Sequence, residues 1–274
     1  MHFSGFELPN GFVNHGPMAC EALAALGCDD DIDSWARRFA ATSGNAVDPV
    51  APSAFDWSEA LGDYERLPEW IGYFDARIAG VGWPAVVEEW VPRLFPGLAV
   101  VLFHGEIRVA HAVRAVHVSD TVPRRHELAR SLAYWAARFR PGEPQGGDPA
   151  GNTTGQVLDV AIESARRYLA RPDIFSLHGV TSAMALEMLA PHLSDDAMAS
   201  GLAQLRADHA ALYKGSYTGT TVSSVELDTA DLIGAAAASG DPHQVKLVEA
   251  CRRGSRATGD PAFAAAAGTV TGLI

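Results

Sequence analysis

Lysine is nearly missing from this chain: only Lys214 and Lys246 occur, and every other basic residue is arginine. Positive charge as a whole is short, with 21 Lys and Arg against 33 Asp and Glu, a net charge of −12 and a pI near 5.2. Such a surface repels phosphate backbones and argues against a nucleic-acid partner. Cysteine is scarce. Cys20, Cys28 and Cys251 form no CxxC pair, which excludes a disulfide framework and a thiolate zinc site and suits a reducing cytoplasm. Their apolar neighbours make them small core residues rather than nucleophiles. No apolar run approaches the length of a membrane span, so no membrane partner is expected. The opening segment MHFSGFELPNGF lacks a basic stretch followed by an apolar one. No secretory signal is expected, and the expected location is the cytoplasm.

The common cofactor and catalytic patterns are also missing. There is no G-x-G-x-x-G, no Walker A pattern and no HExxH, which argues against Rossmann, P-loop and zincin chemistry. Without a G-x-S-x-G elbow, neither Ser119–Asp120 nor the Thr/Ser-rich stretch GSYTGTTVSS (215–224) supports a hydrolase triad. Alternating strand patterns are almost absent, and no internal repeat is found. A length of 274 residues allows one large domain or two small ones, but no linker divides the chain into two self-sufficient cores.

What is present is helical periodicity. The expected fold is all-α, a single compact helical domain spanning 1–274. Helices are expected at 18–27, 34–42, 56–63, 67–80, 83–97 and 124–139. Further ones are expected at 156–170, 181–191, 195–213, 225–238, 242–257 and 260–267. Residues 43–56 and 141–155 read as loops. Residues 98–119 fit either a buried helix or a strand pair. The recurrence of Glu106, Arg108, His111 and Arg114 every three to four residues favours the helix.

Ten histidines occur, and four have unusual settings. His15 lies just before a helix, in NHGP. His104 sits inside an apolar run, in FHGE. His178 is in SLHGVT, again before a helix. His243 falls in the first turn of a helix, in DPHQVK. In three of the four a glycine follows directly, and glycine lets another group approach closely. One reading is four buried histidines, each making one hydrogen bond. The other is a cluster of neutral imidazoles, a common metal site. His104 and His111 are seven residues apart, so on a helix they share a face but lie about 10 Å apart along the axis. His104 is therefore favoured as a ligand, and His111 as a pocket residue near Arg108 and Arg114.

Asp241 is a good N-cap and Pro242 a good first helical residue, so the helix carrying His243 is well specified. Lys246 follows His243 by three and shares its face. A protonated lysine would repel a metal. Unlike arginine, however, lysine can lose its proton when buried and react as an amine. Reaction with carbon dioxide would give a carbamate, an anionic oxygen ligand on a long arm. The alternative is that Lys246 pairs with Glu249 or reaches solvent.

At these residues the chain resembles the questin oxidase-like family. NHGPMACEALAALG, LFHGEIRVAHAVRAV, LAYWAARF, LHGVT and DPHQVKLVEACRR…TGDP look like its successive motifs, in order, from about residue 10 to 265. Fungal members open an aromatic or quinone ring of anthraquinones and related polyketides with oxygen. Part of the family is understood as mononuclear non-haem iron oxygenases that hold the metal with histidines and a carboxylated lysine. The resemblance implies metal ligands at His15, His104, His178 and His243, with Lys246 as the carbamate and Thr181 donating a hydrogen bond to it. This chain is much shorter than the fungal members and lacks further histidines that they carry near the positions of Met18 and Arg108. His111 is therefore the first substitute should one of the four positions not be a ligand.

The expected function is an oxygenase of secondary metabolism, using Fe(II) and molecular oxygen to cleave a C–C bond of a polycyclic aromatic polyketide or quinone. Trp70, Tyr73, Phe74 and Trp135 are candidates to flank a flat substrate, with core packing as the competing reading. Arg108 or Arg114 would pair with a phenolate. Two alternatives belong to other classes. One is a flavin-free Baeyer–Villiger monooxygenase using a reduced nicotinamide such as NADPH. The other is a non-catalytic helical protein that binds a polyketide or a partner chain. An oligomer stays open.

Overall fold

Aspartate, serine and proline set where most of the helices begin. The computed structural model describes residues 5–42, 44–51, 55–143, 145–147, 152–213, 222 and 227–274. Within them lie α1 (Gly16–Leu26), α2 (Asp29–Thr42), α3 (Trp57–Ala60), α4 (Leu67–Val81), α5 (Trp83–Leu94), α6 (His104–Val118) and α7 (Val122–Arg138). They are followed by α8 (Thr153–Ala170), α9 (Ile174–Leu189), α10 (Asp195–Leu212), α11 (Thr229–Ser239), α12 (Pro242–Thr258) and α13 (Pro261–Thr271). No strand occurs among the described residues; Glu7 and Val13 form an isolated bridge. The fold is all-α and compact. His2, Lys214 and nearly all of the segment 215–224 lie outside the described residues.

The caps follow from side-chain chemistry. Asp56, Asp228, Asp241 and Asp260 each accept a backbone N–H of the helix they open, and Ser194 does the same for α10. Gly27, Gly240, Gly259 and Gly272 end their helices in the left-handed region that favours glycine. At α9 a capping box between Asp173 and Ser176 starts the helix at Ile174, earlier than the expected 181. His178 therefore sits inside the helix, in its second turn, and not ahead of it. The helix expected at 98–119 begins only at His104, because Val101, Leu102 and Phe103 take left-handed φ values of 49°, 55° and 64°.

Four helices close a ring: α1 packs on α6, α6 on α9, α9 on α12 and α12 on α1. The remaining helices buttress it, chiefly α7 and α4 behind α6, and α8 and α13 behind α9 and α12. The aromatics proposed to flank a substrate are core residues instead. Trp70, Phe74 and Trp135 are buried. Trp70 meets Trp90 edge to face with ring centroids 5.5 Å apart, and half-buried Tyr73 packs against both. Each fully buried large apolar side chain contributes about 1.5–3 kcal/mol, so these rings hold α4 and α5 in place. The Trp135 indole donates to the Gly97 carbonyl at 3.1 Å.

Candidate metal centre

Each helix of the ring delivers one histidine from its N-terminal end. His15 is the N-cap of α1, His104 is the first residue of α6, His178 lies in the second turn of α9, and His243 in the first turn of α12. One ligand-type nitrogen from each lies within 4.8 Å of the others. His104 Nε2 is 2.7 Å from His15 Nε2 and 3.1 Å from His178 Nε2. The His15 and His243 ring centroids are 4.4 Å apart.

Backbone carbonyls fix which nitrogens face inward. His104 Nδ1 donates to the Val101 carbonyl at 2.5 Å, and His178 Nδ1 donates to the Ile174 carbonyl at 2.7 Å. His243 Nδ1 lies 3.2 Å from Asp241 Oδ1. A neutral imidazole that donates from Nδ1 has a bare lone pair on Nε2. His104 and His178 therefore turn two lone pairs toward each other at 3.1 Å, which is repulsive unless a cation lies between them. Protonation is not the remedy. Burial, and next the Lys246 charge, lower His104 to about 3. Burial likewise holds His15 and His178 well below the usual histidine range.

The backbone fixes these ring orientations. Three successive left-handed residues, one of them β-branched, cost of order 1–2 kcal/mol each. Their turn puts the Val101 carbonyl under the His104 ring. Buried Asn14 accepts the Gly16 N–H at 2.9 Å and donates to the Gly5 carbonyl at 2.7 Å, fixing the chain on both sides of His15. The glycines after His104 and His178 admit rings. A Cβ on Gly105 would lie 2.5 Å from Trp135 Cγ, and one on Gly179 would lie 2.8 Å from the Tyr213 hydroxyl.

Lys246 is 1% exposed, and its Nζ has no hydrogen-bond partner among the described residues. It neither reaches solvent nor pairs with Glu249, which is held by Arg114 and Arg253. Burial lowers Lys246 to about 7. Its charge acts on all four clustered histidines. Thr181 is buried one turn beyond His178, but its hydroxyl is turned to the Leu177 and His178 carbonyls, each at 3.4 Å.

His111 does not join the cluster, so His243 and not His111 completes it. His111 Nδ1 lies 2.5 Å from Glu21 Oε2, beside Arg114, which spans Glu21 and Glu249. Arg108 is buried against Glu127, donating from Nε at 2.9 Å and Nη2 at 2.7 Å. These three residues line a cleft of about 390 Å³ between α1, α6 and α7. Sequence reading missed Asn14, Glu21 and Glu127. An Asn directly before a helix-capping His was a usable signal for the first. The two glutamates carry none, since their partners are far away in the chain.

No family model matches the chain, and no curated protein matches it.

Proposed function

We propose that the chain is a metal-dependent oxygenase whose metal is Fe(II), with molecular oxygen as co-substrate and a polycyclic aromatic polyketide or quinone as the substrate opened at a C–C bond. The observation that carries the metal is one ligand-type nitrogen from each of four histidines within 4.8 Å of the others, with the bare Nε2 atoms of His104 and His178 facing each other and buried Lys246, unpartnered among the described residues, beside them. Iron, oxygen and substrate class follow the resemblance to questin oxidase-like proteins; imidazole donors suit iron as they suit zinc, copper and nickel.

His15, His104, His178 and His243 would hold the metal. Bound iron would supply the one-electron and dioxygen chemistry that no side chain here can perform. The protein's own residues do the rest. Burial of His15, His104 and His178 keeps water from three sides, while the His243 side chain, 24% exposed, marks the open side. The N-termini of α1, α6 and α12 bring their positive dipole ends to the cluster and disfavour an uncompensated cation there. The Lys246 amine answers this problem. As a neutral amine it adds to carbon dioxide, forming an N–C bond and releasing one proton, and the carbamate supplies the missing negative charge.

The test is anaerobic loading of purified chain with Fe(II), metal analysis, and oxygen uptake with a hydroxylated anthraquinone. One iron per chain with substrate-dependent uptake is expected. Stoichiometric zinc that iron exchange cannot turn into activity would refute the oxygenase. A chain that takes no metal would refute the metal-dependent reading.

A further inference from the structure

The cleft that holds His111 begins where the metal cluster ends. His15 and His104 stand at the N-terminal ends of α1 and α6, and six and seven residues further on Glu21 meets His111. The two helices therefore run side by side in the same direction away from the cluster. Met18 and Arg108 line the inner part of the cleft. They follow His15 and His104 by three and four residues, hence on the same helix faces and one turn, about 5.4 Å, further along. Beyond them the walls are small and apolar: Ala24 and Ala25 on α1, and Ala112 and Ala115 on α6. A cavity of about 390 Å³ lies in the range of small-molecule sites.

The charges of the cleft do not balance. Glu21 and Glu127 are its only acidic lining residues among those described, against Arg108, Arg114 and Arg124. Arg114 is neutralised by Glu21 with help from Glu249, and Arg108 by Glu127. Among the described residues Arg124 donates only to the Ala115 and Ser119 carbonyls, at 2.9 and 3.3 Å, and meets no carboxylate. Buried Arg108 keeps Nη1 without a hydrogen-bond partner among the described residues. In a chain of net charge −12, a local cationic excess in an apolar cleft selects an anion with an apolar body.

We infer that this cleft binds a flat, largely apolar small molecule bearing one acidic group. The acidic group meets Arg124, and the apolar body lies between the alanines of α1 and α6 with its far end toward His15 and His104. That this ligand is the substrate of the metal centre rests on the reading given above; the cleft itself does not.

Titration of metal-free protein with 2-naphthoate and its uncharged analogue 2-naphthamide, by calorimetry, tests the site. One 2-naphthoate per chain is expected. Ala24→Trp fills the cleft from an exposed helix position and should weaken both probes by at least about tenfold. Arg124→Gln should weaken 2-naphthoate by about tenfold and leave 2-naphthamide unchanged, the signature of a charge-assisted contact. Ala115→Trp on the opposite wall is the second filling variant. Failure of the parent to bind 2-naphthoate, or binding that neither Trp variant alters, overturns the cleft. Equal loss of both probes in Arg124→Gln overturns the anion preference. With Mn(II) in the cluster, enhanced relaxation of the bound probe's protons is expected, and no enhancement overturns its link to the metal. Metal analysis of the same samples separates the two readings. A chain that ignores iron yet binds 2-naphthoate keeps the cleft and loses the oxygenase.

Discussion

Lys246 concentrates the chemical argument in one atom. A buried amine without a hydrogen bond destabilises the fold unless something else uses it. Replacement by methionine, of similar length and apolar, should stabilise the metal-free chain by about 1–3 kcal/mol in urea titrations while lowering its affinity for metal. Lys246→Arg should do the opposite to stability and also lose metal, because a guanidinium stays charged and cannot become an anionic ligand. A Lys246→Arg protein with parental stability and full metal occupancy would defeat the assignment. The histidines give a cleaner contrast. His178→Ala should reduce metal affinity at least about a hundredfold, whereas His111→Ala should keep the metal, because its ring is engaged with Glu21 and not with the cluster. Metal analysis after dialysis reads both. The four cluster histidines were legible in the sequence because each sits at or near a helix start, three with a glycine after it. The choice between His243 and His111 was not, since Glu21 lies 90 residues before His111 and no spacing along one helix reveals it.

At the scale of elements, the cluster depends on how α6 and α9 are set against their neighbours. Glycine after His104 and after His178 looked in the sequence like room for a ligand. In the fold it is room for Trp135 and Tyr213. The two differ in how easily the intruder can move. A Cβ on Gly105 meets the root of a buried indole tied to the Gly97 carbonyl, whereas a Cβ on Gly179 meets the outer end of half-buried Tyr213, whose hydroxyl donates to the Phe175 carbonyl at 2.7 Å. Gly105→Ala should therefore cost about 1–3 kcal/mol and loosen the metal by shifting His104, and Gly179→Ala should cost clearly less. Chemical denaturation of both variants checks the order; equal costs would show that the close approach of Trp135 does not fix α6. Helical periodicity made α6 readable, but not its start. A run of apolar residues gives no sign that Val101, Leu102 and Phe103 turn left-handed, because that strain is imposed by packing and by the His104 ring. The early start of α9 was readable in principle, from Asp173 and Ser176 three apart.

For the whole molecule, the ring of four helices is closed by charge as well as by packing. Arg114 of α6 holds Glu21 of α1 and Glu249 of α12, and Arg253 of α12 holds Glu249 and Glu187 of α9. Glu249 is the node. Burial alone would raise its carboxyl, but the Arg253 and Arg114 charges outweigh it and bring Glu249 down to about 2. An unfolded glutamate titrates near 4.3. The folded state thus binds the proton more weakly than the unfolded one. The stabilisation is complete above about pH 4.3 and is lost as pH falls toward 2, with a total on the order of 3 kcal/mol. Acid also protonates the clustered histidines and destabilises the fold, but it does so equally in the parent and in Glu249→Gln. The difference between the two proteins isolates the carboxylate. In metal-free samples Glu249→Gln should be less stable than the parent by about 3–5 kcal/mol at pH 7, because Arg114 and Arg253 then share too little negative charge in a buried place. That gap should narrow steadily between pH 4.5 and pH 2.5, since the parent is losing the same charge. Urea midpoints across this range measure it, and a gap that stays constant with pH would mean that Glu249 is not the group that ties the ring together.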